Sequence, residues 1–166
     1  MELLNAILFW VIYIIGTKAE TRFNVSNMPI YYPLFILSLI LVEGSLYWFN
    51  CLMRIEKKKS LTTIYIAPIY QRLKRVNYVL IVTYIPVFII SYDGNNAVAI
   101  IGILIWLFSI IELVNYFHYR LSYYRKSYSG LQIMKPLKLL LSGKAIESQI
   151  AKEIFLYQQK INRKCK

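Results

Sequence analysis

Residues 30 to 54 read IYYPLFILSLILVEGSLYWFNCLMR, and the fold class turns on whether this run belongs in water or in lipid. Between Pro33 and Glu43 eight residues are Leu, Ile, Phe or Val, and the ninth is Ser38. A helix rises about 1.5 Å per residue and the hydrocarbon core of a bilayer is about 30 Å thick, so roughly 20 apolar residues make a crossing. This run is long enough. Pro33 suits the first turn of a helix, Tyr31 and Tyr32 suit the outer interface, and the segment stops at basic residues beginning with Arg54. Glu43 does not prevent insertion. A charged side chain costs about 3 kcal/mol near the middle of a crossing, whereas each large apolar residue returns about 0.5 kcal/mol.

Working outward, three further apolar segments occupy 3–16, 77–92 and 97–119. The last is long enough to cross, while the first and the one at 77–92 are short and need a thinned bilayer or cover from their neighbours. Of the 166 residues, 58% are hydrophobic and 17% charged, with the charges in blocks, which places the chain among integral membrane proteins. The expected fold is all-α: a polytopic bundle of four transmembrane helices over residues 1–119, with a basic cytoplasmic loop at 54–76. A basic cytoplasmic tail follows at 120–166. Pro86 is expected to kink the third helix, and the turn signal DGNN at 93–96 to join it to the fourth. Thr17-Lys18-Ala19 resembles a signal-peptide cleavage site, but the n-region MELLN carries an acid where such a peptide has Lys or Arg, so retention of the first helix is the preferred expectation.

A net charge of +12 on a soluble chain would point to nucleic acid. Here the positions of the charges point to topology instead, and no nucleic acid is expected. All but Lys18 and Arg22 of the 20 Lys and Arg residues fall in the 54–76 loop or after residue 119. With an even number of crossings, the positive-inside rule puts both termini in the cytoplasm, in a membrane expected to be the plasma membrane. Arg54, Lys57, Lys58, Lys59, Arg72, Lys74 and Arg75 then face anionic inner-leaflet lipid or a partner. The triplet Asn24-Val25-Ser26 fits a glycosylation sequon on the outer side.

At about 100° per residue, Glu43, Tyr47, Asn50 and Arg54 share one side of the second helix. Glu112, Asn115, Tyr116 and Tyr119 do the same in the fourth, with Ser109 above them and His118 near the edge. These residues form two polar stripes that thicken toward the cytoplasm and are expected to face protein rather than lipid. They suit either an ion or proton site or plain hydrogen bonding between helices. Glu43, Tyr47, Trp48 and Leu52 also align at constant offset with Glu112, Tyr116, Phe117 and Leu121. Each set follows a shorter segment carrying an Asn and a Tyr, Asn5 with Tyr13 and Asn77 with Tyr84, so the chain reads as two repeated hairpins.

The tail is expected to end in an amphipathic helix at about 143–162, with Ile146, Ile150, Ile154, Tyr157 and Ile161 as one apolar stripe. Lys144, Glu147, Lys152, Glu153 and Lys160 mark its polar side, and the helix is a candidate site for a protein partner or for homo-oligomer formation. Cys51 and Cys165 both fall on the reducing side, so neither a disulfide nor a zinc site is expected. No phosphate-binding glycine loop, metal motif or nucleophile elbow occurs, and His118 by itself reads as an interfacial polar group. Cofactors and catalysis are therefore not expected. The leading expectation is a regulatory, sensing or immunity-type interaction protein acting through its basic cytoplasmic face. The alternative is a small oligomeric ion- or proton-coupled transporter or channel using Glu43 and Glu112.

Overall fold

The computed structural model describes residues 2–19, 28–56, 61–120 and 146–164. Among the described residues there are five helices and no strands: α1 (Glu2–Ala19), α2 (Met28–Ile55), α3 (Thr63–Ser91), α4 (Asn96–Phe117) and α5 (Gln149–Lys164). Three of them, α2, α3 and α4, are long and apolar enough to cross a membrane, and α1 is a shorter apolar helix. Leu4, Ile7, Ile12, Val79, Val82, Ile89, Ile90, Ile100 and Leu104 all point outward. So much outward apolar surface is foreign to a soluble monomer and fits helices solvated by lipid.

Three elements begin elsewhere than the sequence suggests, the smallest shift being that of α2, which starts at Met28. The third helix starts at Thr63 rather than near Asn77, and at 29 residues it spans about 43 Å, longer than the hydrocarbon core. Thr62 opens it, its carbonyl accepting from the amides of Tyr65 and Ile66, and the helix runs on through Pro68 and Pro86. The last helix starts at Gln149 rather than near 143. Ser148 caps it, its hydroxyl accepting from the Ala151 amide at 3.1 Å, and this satisfies one of the open donors of the first turn. Residues 143–145, Lys57, Lys58, Lys59 and Asn24 lie outside the described residues.

The chain divides into two compact units. The first comprises Met1–Ser60 with Arg75–Glu112, the second Leu61–Lys74 with Leu113–Lys166. Within the first, α2 is the central element, burying Leu34, Ile36, Leu37, Ile40 and Leu41. The Trp10 indole of α1 donates to Ser38 Oγ at 2.7 Å, and the Trp10 and Tyr31 rings meet edge to face. Phe9 of α1 similarly meets Phe108 of α4.

Pro33 lies inside α2, because the helix starts five residues earlier at Met28. Its ring nitrogen carries no hydrogen, so the Pro29 carbonyl lacks its usual donor one turn on. The Tyr84 hydroxyl of α3 donates to that carbonyl instead, at 3.0 Å. Gly102 of α4 passes so close that an added Cβ would lie 2.2 Å from the same oxygen and 2.9 Å from the Tyr84 hydroxyl. The Trp106 indole donates to the Ile81 carbonyl at 3.0 Å, joining α4 to α3.

In the second unit, the start of α3 buries Ile66, Ala67 and Tyr70, and the end of α4 buries Leu113, Tyr116 and Phe117. Tyr70 and Phe117 pack ring to ring. Residues 118–120 run antiparallel to 146–148: the Arg120 amide donates to the Ile146 carbonyl and the Ser148 amide to the His118 carbonyl, both at 2.9 Å. The start of α5 is thereby fixed to the end of α4.

Candidate functional site

Inside the first unit, Asn77 Nδ2 of α3 donates to Glu43 Oε2 of α2 at 2.6 Å. Glu43 is 6% exposed and Asn77 0%. The polar side of α2 thus faces protein at its deepest point, because an amide from the neighbouring helix replaces the water that a carboxyl would lose on insertion. One turn on, Tyr47 is also buried, whereas Asn50 and Arg54 are half-buried. Asn77 Oδ1 is buried and accepts no hydrogen bond among the described residues.

The polar side of α4 is more open. Ser109 is fully buried, its hydroxyl lying 2.9 Å from the Ile105 carbonyl of its own helix and 3.3 Å from the Pro33 carbonyl of α2. Glu112, Asn115 and His118 are half-buried, Tyr116 is buried and Tyr119 exposed. The two copies of the repeated pattern do not occupy like environments. Phe117 is fully buried where Trp48 is 45% exposed, and Asn5 is exposed where Asn77 is buried.

The basic residues also separate. Arg72 and Arg75 are exposed, but Lys74 is half-buried with its ammonium 3.5 Å from the Phe117 carbonyl in the second unit. That carbonyl belongs to the last turn of α4, where unfilled acceptors and the helix dipole attract a cation. His118 follows immediately. Burial, and secondarily the positive charge of Lys74, hold its imidazole below the usual histidine value, so the neutral ring is favoured there.

Asn77 and Tyr84 were not among the expected site residues, although both belong to the repeated pattern. They stand seven residues apart and so share a face of α3, which is the signal that could have found them. Among the described residues no three His, Cys, Asp or Glu side chains gather as metal ligands, and Cys51 is a half-buried thiol. What the arrangement offers chemically is a carboxyl–amide contact in one unit and a cation-bearing surface in the other. Comparison with protein-family models, with curated proteins and with solved structures finds no match to this chain.

Proposed function

We propose that α1 joins α2, α3 and α4 in crossing the bilayer, leaving both termini and the basic segments on the cytoplasmic side of the plasma membrane. On this reading the chain is a non-catalytic interaction protein of regulatory, sensing or immunity type, and its working surface is the basic cytoplasmic face with an amphipathic last helix. The observation that carries the reading is α5 itself. It is capped and seated on its own unit by Ile150 and Ile154, yet it leaves Phe155 and Leu156 exposed beside Lys152, Lys160 and Arg163. A helix folded in this way presents a surface on which lipid or a partner can dock. The transport alternative draws less support, since Glu43 is engaged by Asn77 in a helix contact of the kind that holds membrane bundles together. Co-purification in mild detergent, comparing the full chain with one lacking residues 145–166, tests the reading. Specific partners or anionic lipid recovered with the first and lost with the second support it; identical recovery would sink it.

A further inference from the structure

The middle of the apolar stripe of α5 is occupied within its own unit: Ile150 is 3% and Ile154 9% exposed and Tyr157 is half-buried, while Ile146 and Ile161 at the two ends of the stripe are exposed. The other side of the helix is therefore the one turned outward. At about 100° per residue, Lys152, Phe155, Leu156, Lys160 and Arg163 fall within about 140° of arc. All five are exposed, Phe155 by 55% and Leu156 by 58%. Glu153, the only acid of the helix, is half-buried and lies outside that arc.

We propose that this outward face of α5 is a lipid-docking surface that lies on an anionic bilayer, with Phe155 and Leu156 entering the headgroup boundary and Lys152, Lys160 and Arg163 meeting lipid phosphates. The proposal rests on the functional reading above and names the partner of that surface. Charge complementarity is the first argument, since two large apolar side chains flanked by three cations, with no outward acid, match an anionic interface and not a dry protein groove. Position is the second. Residues 118–120, which immediately follow the candidate crossing Asn96–Phe117, are hydrogen-bonded to 146–148, so α5 begins at the end of a membrane-spanning helix and meets lipid without a search. A helix of 16 residues is about 24 Å long, enough to carry the two apolar residues at its centre and the cations toward its ends.

The test uses the full chain with Cys51→Ser and Cys165→Ser, spin-labelled through Gln159→Cys in the middle of the face and, as a control, through Leu104→Cys on the outward side of α4. Each protein is reconstituted in nanodiscs of phosphatidylcholine alone or mixed with phosphatidylglycerol, and accessibility to oxygen and to a water-soluble nickel chelate is read. The expected result is a lipid-like signal at 159 with phosphatidylglycerol present. It shifts toward water without that lipid and in Lys152→Gln, Lys160→Gln and Arg163→Gln, with docking weakened about fivefold for each cation removed. A water-like signal at 159 in both lipids, while 104 reports hydrocarbon, would overturn the proposal. A label shielded from both reagents would also overturn it, by showing protein on the face, and would leave the interaction reading standing. Docking as expected, combined with identical co-purification after removal of 145–166, would instead uphold the lipid surface and sink the functional reading.

Discussion

Glu43 is tolerable in a helix apolar enough to span lipid because Asn77 supplies a donor where water cannot, and the contact is buried on both sides. Glu43→Gln keeps size and hydrogen bonding, so the thermal stability of the protein in nanodiscs should change little. Glu43→Leu strips Asn77 of its acceptor and should cost about 1–3 kcal/mol. Replacing both residues by Leu should recover most of that loss, since no polar group is then left buried at this point and Asn77 Oδ1 accepts no bond among the described residues in any case. Additive losses in the double variant would show that the two side chains do not act as a pair. Under the transport alternative, Glu43→Gln would instead abolish a pH-dependent flux while leaving expression normal. A second residue-scale prediction concerns His118. Its unfolded form takes up a proton near the ordinary histidine pKa of about 6.5, but the folded form does so only at lower pH, so the unfolded chain binds more protons on acidification. The stability that the neutral ring supplies is complete above the unfolded value and is lost as pH falls through the folded one. Melting temperature should accordingly decline on acidification through that window, and less so in His118→Gln; parallel curves would acquit the histidine. The need for a buried partner was legible in Glu43 alone, while the identity of that partner was not, because helix pairing is non-local and leaves no spacing signal around residue 43.

The helices show which parts of a membrane fold composition reveals. α2 and α4 were legible because lipid demands uninterrupted apolar residues, and their runs end in charges or in a Gly–Asn turn. The first half of α3 was not. TIYIAPIYQRLKRV mixes cations and Pro68 with apolar residues and reads as a loop by composition, although Ile66, Ala67 and Tyr70 share a buried side. The start of α5 was misread for the opposite reason: Ile146 prolongs the apolar spacing, but its carbonyl pairs with Arg120 and Ser148 takes the cap. Ser148→Ala should therefore destabilise the attachment of α5 by about 1 kcal/mol, visible as faster amide exchange through Gln149–Lys164 while α2 is unchanged. In the first unit, the crossing of α2 with α4 depends on Gly102. Gly102→Leu places atoms onto the Pro29 carbonyl and the Tyr84 hydroxyl, forcing the helices apart. Tyr84→Phe leaves the space intact and removes only the donor that Pro33 cannot provide. The Leu variant should lose more stability than the Phe variant, which is expected to cost about 1–3 kcal/mol in a melt of the reconstituted protein. The reverse order would mean that the Pro29 carbonyl matters more than the close approach.

At the scale of the whole molecule, orientation is governed by charge, because moving Lys and Arg across a bilayer opposes insertion. With all but two of the 20 basic residues on segments that an even number of crossings leaves together, the proposed topology puts the turn between α3 and α4 outside and α5 inside. That turn is well formed. Gly94 takes φ +87°, Asn95 Oδ1 accepts from the amides of Ala97 and Val98 at 3.2 and 3.4 Å, and Asp93 is exposed. A label there reports the aqueous phase rather than a buried site. Asp93→Cys and Lys160→Cys, each in a chain with Cys51→Ser and Cys165→Ser, make the test independent of any assay of function. Lys58→Cys adds a third position in the basic run after α2. An impermeant maleimide applied to intact cells should modify position 93 within the time that positions 58 and 160 remain untouched, and all three should react once the membrane is opened. If 93 and 160 react together from outside, α4 does not cross as the charge pattern requires, since it is the candidate crossing that lies between those two positions. If only 58 and 160 react, the count of crossings stands and the orientation is inverted, which would remove the cytoplasmic leaflet as the surface that α5 meets.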